Sequence, residues 1–205
     1  LDGATAPADP ASEPDDSPMG RIAAAALVVT AAADTHWRDF SRAPMQVWAR
    51  LHTMVDDGPQ RGRPRTADDA HDPLHLGGLP TAAQVNERLH ALGQAIVHSA
   101  APGVLVAAIA HAELAALRPF TSGSYLVARA TPRMVLRARG CDTVGAASVE
   151  IGQLAIGRAR YVRAVQAYAS GTAAGIQEYL EAFGLWVHTG IQRTQAARVI
   201  LNARN

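Results

Sequence analysis

The chain has 205 residues, 48% of them hydrophobic, and its 19 basic and 18 acidic residues leave a formal net charge of +1. That length and apolar content suffice for one compact domain with a sizeable core, while the near-neutral balance gives no electrostatic footprint for nucleic acid or a membrane surface. All 19 cationic residues are Arg, which removes Schiff-base chemistry through a Lys, and the single Cys141 excludes an internal disulfide and fits a reducing cytoplasm.

Residues 1–18 are rich in Pro, Ala, Asp and Ser without apolar periodicity, so a disordered acidic tail is expected there. Arg21 to Asp34 carries a mostly apolar run too short to span a membrane, and it predicts a core helix in preference to a secretory signal. The helical pattern continues from Asp34 to Val55 through Trp37, Phe40, Val47, Trp48 and Leu51. Residues 19–56 are therefore expected to form N-terminal helices packed on the rest, with a homodimer face as the other use of their apolar surface.

Asp56 to Pro80 is a Gly/Pro/His-rich loop holding Arg61, Arg63, Arg65, Asp68, Asp69, His71, Asp72 and His75. Its His and Asp spacing matches no common zinc pattern, so no metal site is assigned and the loop reads as solvated. Thr81 then caps a helix in which Val85, Leu89, Leu92 and Ile96 recur at helical spacing, with Arg88 on the wet side. From Ala101 to Leu117 the chain is apolar almost all round, which predicts a central buried helix. His111 and Glu113 on it lie two apart and point to different faces, so the expectation is a buried, satisfied histidine and an acid that pairs with Arg118 or Arg129.

Arg118 to Arg129 is a turn leading into another helix, which Pro132 interrupts; the expected form ends near Ala130 and restarts with Thr131 as cap and Pro132 at the first helical position. Arg158 to Ser170 and Ala173 to Asn202 read as two further helices. Leu27 to Thr30 and Ala146 to Ile151 are the only short β-prone runs, and neither belongs to an alternating series. Aromatic residues make up only 5% of the chain, so Leu, Val, Ile and Ala must fill the interior, which suits an all-α fold.

The segment Leu117-Arg-Pro-Phe-Thr-Ser-Gly-Ser-Tyr-Leu-Val-Ala-Arg129 resembles the motif H-P-F-x-D/E-G-N-G-R-x-x-R of the Fic family, mostly transferases that move AMP or another phosphate-bearing group to a protein hydroxyl. Pro119, Phe120, Gly123 and Arg129 match it. Arg118 replaces the family's His, Ser122 its acid, Ser124 its Asn, Tyr125 its second Gly and Leu126 its first Arg. The order of loop, amphipathic helix, buried helix, motif and second helix is similar too, over about residues 60 to 200. The resemblance implies a Fic-like helical bundle over 57–205, with a flap loop or small β-hairpin before the core helices.

Chemistry then decides what such a motif retains. Arg118 stays protonated and cannot accept a proton as His would. Ser122 is a poor substitute for a carboxylate on Mg²⁺, and Tyr125 crowds a backbone that should approach phosphates. The resemblance thus implies a pseudoenzyme with no catalytic residue, whose Arg118, Gly123, Ser124 and Arg129 hold an anion or a nucleotide, ATP with Mg²⁺ being the family's form. It also implies that a flap containing His71, His75, Leu76 and Gly77 pairs with a protein partner by strand addition, the three Arg residues of the loop favouring an acidic one. Tyr125 is expected to plug the nucleotide space. The alternative is a transferase working by another route, with Arg118 and Arg129 as clamps and a base from His111, His71 or His75. No segment fits the family's restraining pattern Ser/Thr-x-x-x-Glu-Gly/Asn.

Overall fold

The structure, a computed structural model, describes residues 17–202. Of the expected acidic tail, residues 1–16 lie outside the described residues. Ser17 and Pro18 belong to the first helix, where the Ser17 hydroxyl accepts the Gly20 N–H at 3.0 Å and Pro18 opens the first turn.

Among the described residues the protein is all-helical, with eight helices and no strand: α1 (Pro18–Phe40), α2 (Pro44–Thr53), α3 (Ala82–His98), α4 (Gly103–Leu117), α5 (Ser124–Ala138), α6 (Val149–Ile156), α7 (Arg158–Ala169) and α8 (Ala173–Asn202). The segment between α2 and α3 is a loop and not a hairpin. No described helix is long and apolar enough to cross a membrane.

α4 is the centre. Val106 to Leu117 is buried apart from Ile109 and Glu113, because α5, α3, α7 and α8 pack around it. The capping box that opens α3 is complete: Thr81 Oγ1 accepts the Gln84 N–H, and Gln84 Oε1 accepts the Thr81 N–H at 2.9 Å. Val85, Leu89, Leu92 and Ile96 face inward as their spacing predicts.

Three expectations need correction. α1 is an outer helix and not a buried one: Val29, Ala33 and Phe40 pack inward, while Met19, Leu27 and Val28 are exposed, because the chain covers only the sides that face α5 and α2. The helical run to Val55 breaks at residues 41–43, since Pro44 lacks an N–H and begins α2 afresh. Conversely, Pro132 does not break α5. That helix runs through it, the Thr131 hydroxyl donating to the Val127 carbonyl at 2.8 Å and accepting Trp48 Nε1–H at 3.0 Å, so Thr131 bridges α2 to α5 and caps nothing.

A fourth element went unread in the sequence. The β-prone run 146–151 splits, and Val149 starts α6, which packs on α8 so closely that a Cβ on Gly152 would lie 1.9 Å from the Trp186 carbonyl oxygen. Glycine permits that approach; no other residue fits without moving a helix.

Candidate functional site

Residues 118–123 form the turn that joins buried α4 to the first turn of α5. Arg118 ends α4 in the left-handed region (φ 46°), a conformation a non-glycine residue adopts at a cost of order 1 kcal/mol. Gly123 takes the same region (φ 65°) at α5's N-cap without that cost. Ser124 is buried, its Oγ accepting the Phe120 N–H at 2.9 Å and donating to the Phe120 carbonyl at 3.0 Å. Its hydroxyl therefore closes the turn on itself.

The preceding loop is strapped to this turn and is not simply solvated. The Arg65 N–H donates to the Pro119 carbonyl and the His71 N–H to the Thr121 carbonyl, both at 2.8 Å. Arg65, only 1% exposed, sends its guanidinium to the carbonyls of Arg118 (3.0 Å), Ala67 (2.8 Å) and Pro80. Arg118 answers from the other side: it donates to the carbonyls of Gly77 (3.1 Å) and Gly78 (2.6 Å) and pairs with Asp72. The flap residues divide accordingly. Leu76 packs on the core, Gly77 accepts from Arg118, and the His71 and His75 side chains are exposed, with the His75 carbonyl accepting Gln166 Nε2–H at 3.2 Å.

A cluster that the sequence did not reveal lies on the other flank. His52, buried and stacked on Phe120 with ring centroids 4.0 Å apart, accepts the Gly62 N–H on Nδ1 at 2.8 Å. Its proton is therefore on Nε2, which donates to the Ser122 carbonyl at 3.2 Å and faces Asp56 Oδ2 at 3.5 Å. Burial lowers the imidazole's pKa, while Asp56 and the Ser122 carbonyl oppose that. The Ser122 hydroxyl donates to the Asp56 carboxylate and holds its pKa below the ordinary value. The i, i+4 spacing of His52 and Asp56 was the available signal, hidden by the end of α2 between them.

Arg129 lies apart from Arg118. Its Nε donates to Gln153 Oε1 at 3.0 Å, and its guanidinium carbon is 5.7 Å from the centroid of the Tyr161 ring. The Gln153 amide nitrogen reaches His111 Nε2 at 3.3 Å, which the Tyr161 hydroxyl also approaches at 3.2 Å. On the far side Tyr179 donates to the Ala108 carbonyl, so its oxygen accepts from His111 Nδ1 at 2.7 Å. His111 is thus a neutral, fully bonded core histidine, driven by burial and by the Arg129 charge to a pKa of about 3. Burial likewise pushes Tyr161 up to about 12. Glu113 pairs with neither Arg118 nor Arg129: it takes Arg88 and the Tyr168 hydroxyl, each at 2.6 Å, because it lies on the α3-facing side of α4.

The four expected anion contacts therefore do not converge. Arg118 and Ser124 are bonded inward, and a Cβ on Gly123 would lie 2.9 Å from Val55 Cγ2, so Val55, just past the end of α2, packs against that glycine. Tyr125 stands half-buried between two cavities, one lined also by Asp56 and Gly123, the other by Arg129. With Asp56 already against Ser122, the loop supplies neither a phosphate cradle nor a set of free oxygen ligands, and a nucleotide with Mg²⁺ does not fit it. Among the described residues no group of three or more His, Cys, Asp or Glu side chains is placed to hold a metal ion. No protein-family model matches the chain, and no curated protein matches its sequence.

Proposed function

We propose that this chain is a binding module on a Fic-like helical frame, one that associates with a protein partner and transfers no nucleotidyl or phosphoryl group. Two features support the kinship: the motif-like residues 117–129, and their position as the turn between a buried helix and the next. The observation that carries the absence of transfer is the engagement of Arg118. It sits where the family keeps its proton acceptor, it is a permanent cation, and Asp72, Gly77 and Gly78 take up its terminal nitrogens. Asp56, the carboxylate against Ser122, is held at low pKa by that hydroxyl and is a weak base. His111 is sealed in the core and cannot reach a substrate.

The partner surface in this reading is the outer side of the loop before α3, where Arg61, Arg63, His71 and His75 are exposed. Arg61 and Arg63 suit an acidic segment, while Asp57, Asp68 and Asp69, exposed on the same loop, restrict it to the side of those two arginines. The test is incubation with labelled ATP, GTP, UTP and CDP-choline plus Mg²⁺ or Mn²⁺, alone and with lysate proteins. No label should be transferred; transfer that disappears in Arg129→Ala overturns the proposal.

A further inference from the structure

The side chain of Arg129 borders a cavity of about 330 Å³ enclosed by α1, α5, α6, α7 and the loop before α3. Its charged lining is one-sided. Arg129 and Arg158 contribute guanidinium groups, and no Asp or Glu is among the described residues that line it. Arg129 Nε is satisfied by Gln153, while its two terminal nitrogens have no hydrogen-bond partner among the described residues. Arg158 is anchored by one bond, from Nη2 to the Pro73 carbonyl at 2.9 Å.

The mouth has the opposite character. Met19 and Leu154 stand at its edge 72% and 76% exposed, with Ile22 beside them, so three large apolar side chains face water around a cationic interior. Leaving such surface in water is unfavourable by roughly 25 cal/mol per Å². A ligand that covers the rim and brings one negative charge to Arg129 answers both features.

We propose that this cavity binds a small amphipathic carboxylate, its head on the terminal nitrogens of Arg129 and its apolar body against Met19, Ile22 and Leu154. A guanidinium with two free parallel N–H groups matches a carboxylate in bidentate geometry. The site is also prepared. Gln153 fixes the guanidinium from one side, His111 fixes Gln153, and the Tyr161 ring supports the cation, so little side-chain freedom is lost on binding. The volume lies at the low end of the roughly 300–1,000 Å³ typical of ligand pockets, which favours a compact ligand over a nucleotide. None of this depends on whether residues 118–124 have lost transferase chemistry.

The experiment is calorimetric titration of the full chain with decanoate, with decanol and inorganic phosphate as comparison probes. Decanoate should bind one per chain, and decanol and phosphate at least about tenfold more weakly. Arg129→Met should weaken decanoate by about tenfold or more while leaving decanol unaffected. Leu154→Asp changes an exposed side chain, so the fold is spared, and its carboxylate at the mouth should weaken decanoate comparably. The proposal is overturned if decanoate does not bind, if decanol or phosphate binds as well, or if both variants bind decanoate like the parent chain.

Discussion

The guanidinium of Arg118 closes on the carboxylate of Asp72, Nη1 to Oδ2 at 2.8 Å, with the two side chains 5% and 24% exposed. This pair fastens the loop before α3 to the turn before α5. Arg118→Met leaves the carbonyls of Gly77 and Gly78 without the guanidinium and Asp72 with the Gly77 N–H in place of an ion pair. The expected cost is about 2 kcal/mol, below the range for fully buried pairs because Asp72 is partly solvated. Hydrogen exchange should show faster exchange for residues 72–78, with α8 unchanged. Unaltered protection of that loop would mean that the pair is incidental.

Arg63 and Arg65 stand two apart in the run Arg61-Gly-Arg-Pro-Arg65, yet one is exposed and the other buried. Arg65→Ala removes the donors of several backbone carbonyls at once, each worth about 1 kcal/mol or more when left unpaired. A loss of about 3 kcal/mol is expected in urea unfolding, against no more than ~0.5 kcal/mol for Arg63→Ala. Equal effects of the two would contradict the strapped loop.

His111 should make the fold acid-sensitive well above the carboxylate range. Its folded pKa of about 3 lies below the ordinary 6.5, so between those values the unfolded chain binds a proton that the folded chain does not. Stability is therefore full above about pH 6.5 and falls as pH drops, by ~1.4 kcal/mol per pH unit for one such group. His52, lowered by burial, adds a contribution of the same sign. Between about pH 6.5 and 4.5 most carboxylates remain ionised, so the histidines dominate the slope. Urea midpoints across that window should decline, and His111→Gln should flatten the decline by about one proton; an identical slope in the variant refutes the assignment.

Two glycines of the α6–α8 region should respond to Ala with opposite signs. A Cβ on Gly152 would meet the Trp186 carbonyl oxygen at 1.9 Å, whereas one on Gly184 meets nothing within 4 Å. Gly152→Ala should destabilise by about 1–3 kcal/mol through forced helix separation. Gly184→Ala in α8 should stabilise by about 0.5–1 kcal/mol, since glycine weakens a helix interior. Thermal unfolding of the two variants decides it.

Much of the frame was legible in the sequence, for local reasons. α3 declares itself by Thr81, Gln84 and a 3.6-residue apolar period, and α4 by an unbroken apolar run, because capping and burial depend on near neighbours along the chain. α6 was not legible. Eight residues with Val149 and Ile151 have weak helical preference, and packing on α8 through Gly152 overrides it.

The sequence by itself determined that the chain would fold as helices around 101–117, with a turn after them that carries Arg118, Pro119 and Gly123. Tertiary structure alone decided what each guanidinium does. Arg118 and Arg65 turn inward to backbone carbonyls and Asp72, while Arg129 presents two nitrogens to a cavity completed by α6 and α7. The physical reason is that an arginine's role follows from its desolvation and its partners. Gln153 lies 24 residues from Arg129, and Asp72 lies 46 from Arg118, so no local pattern could pair them.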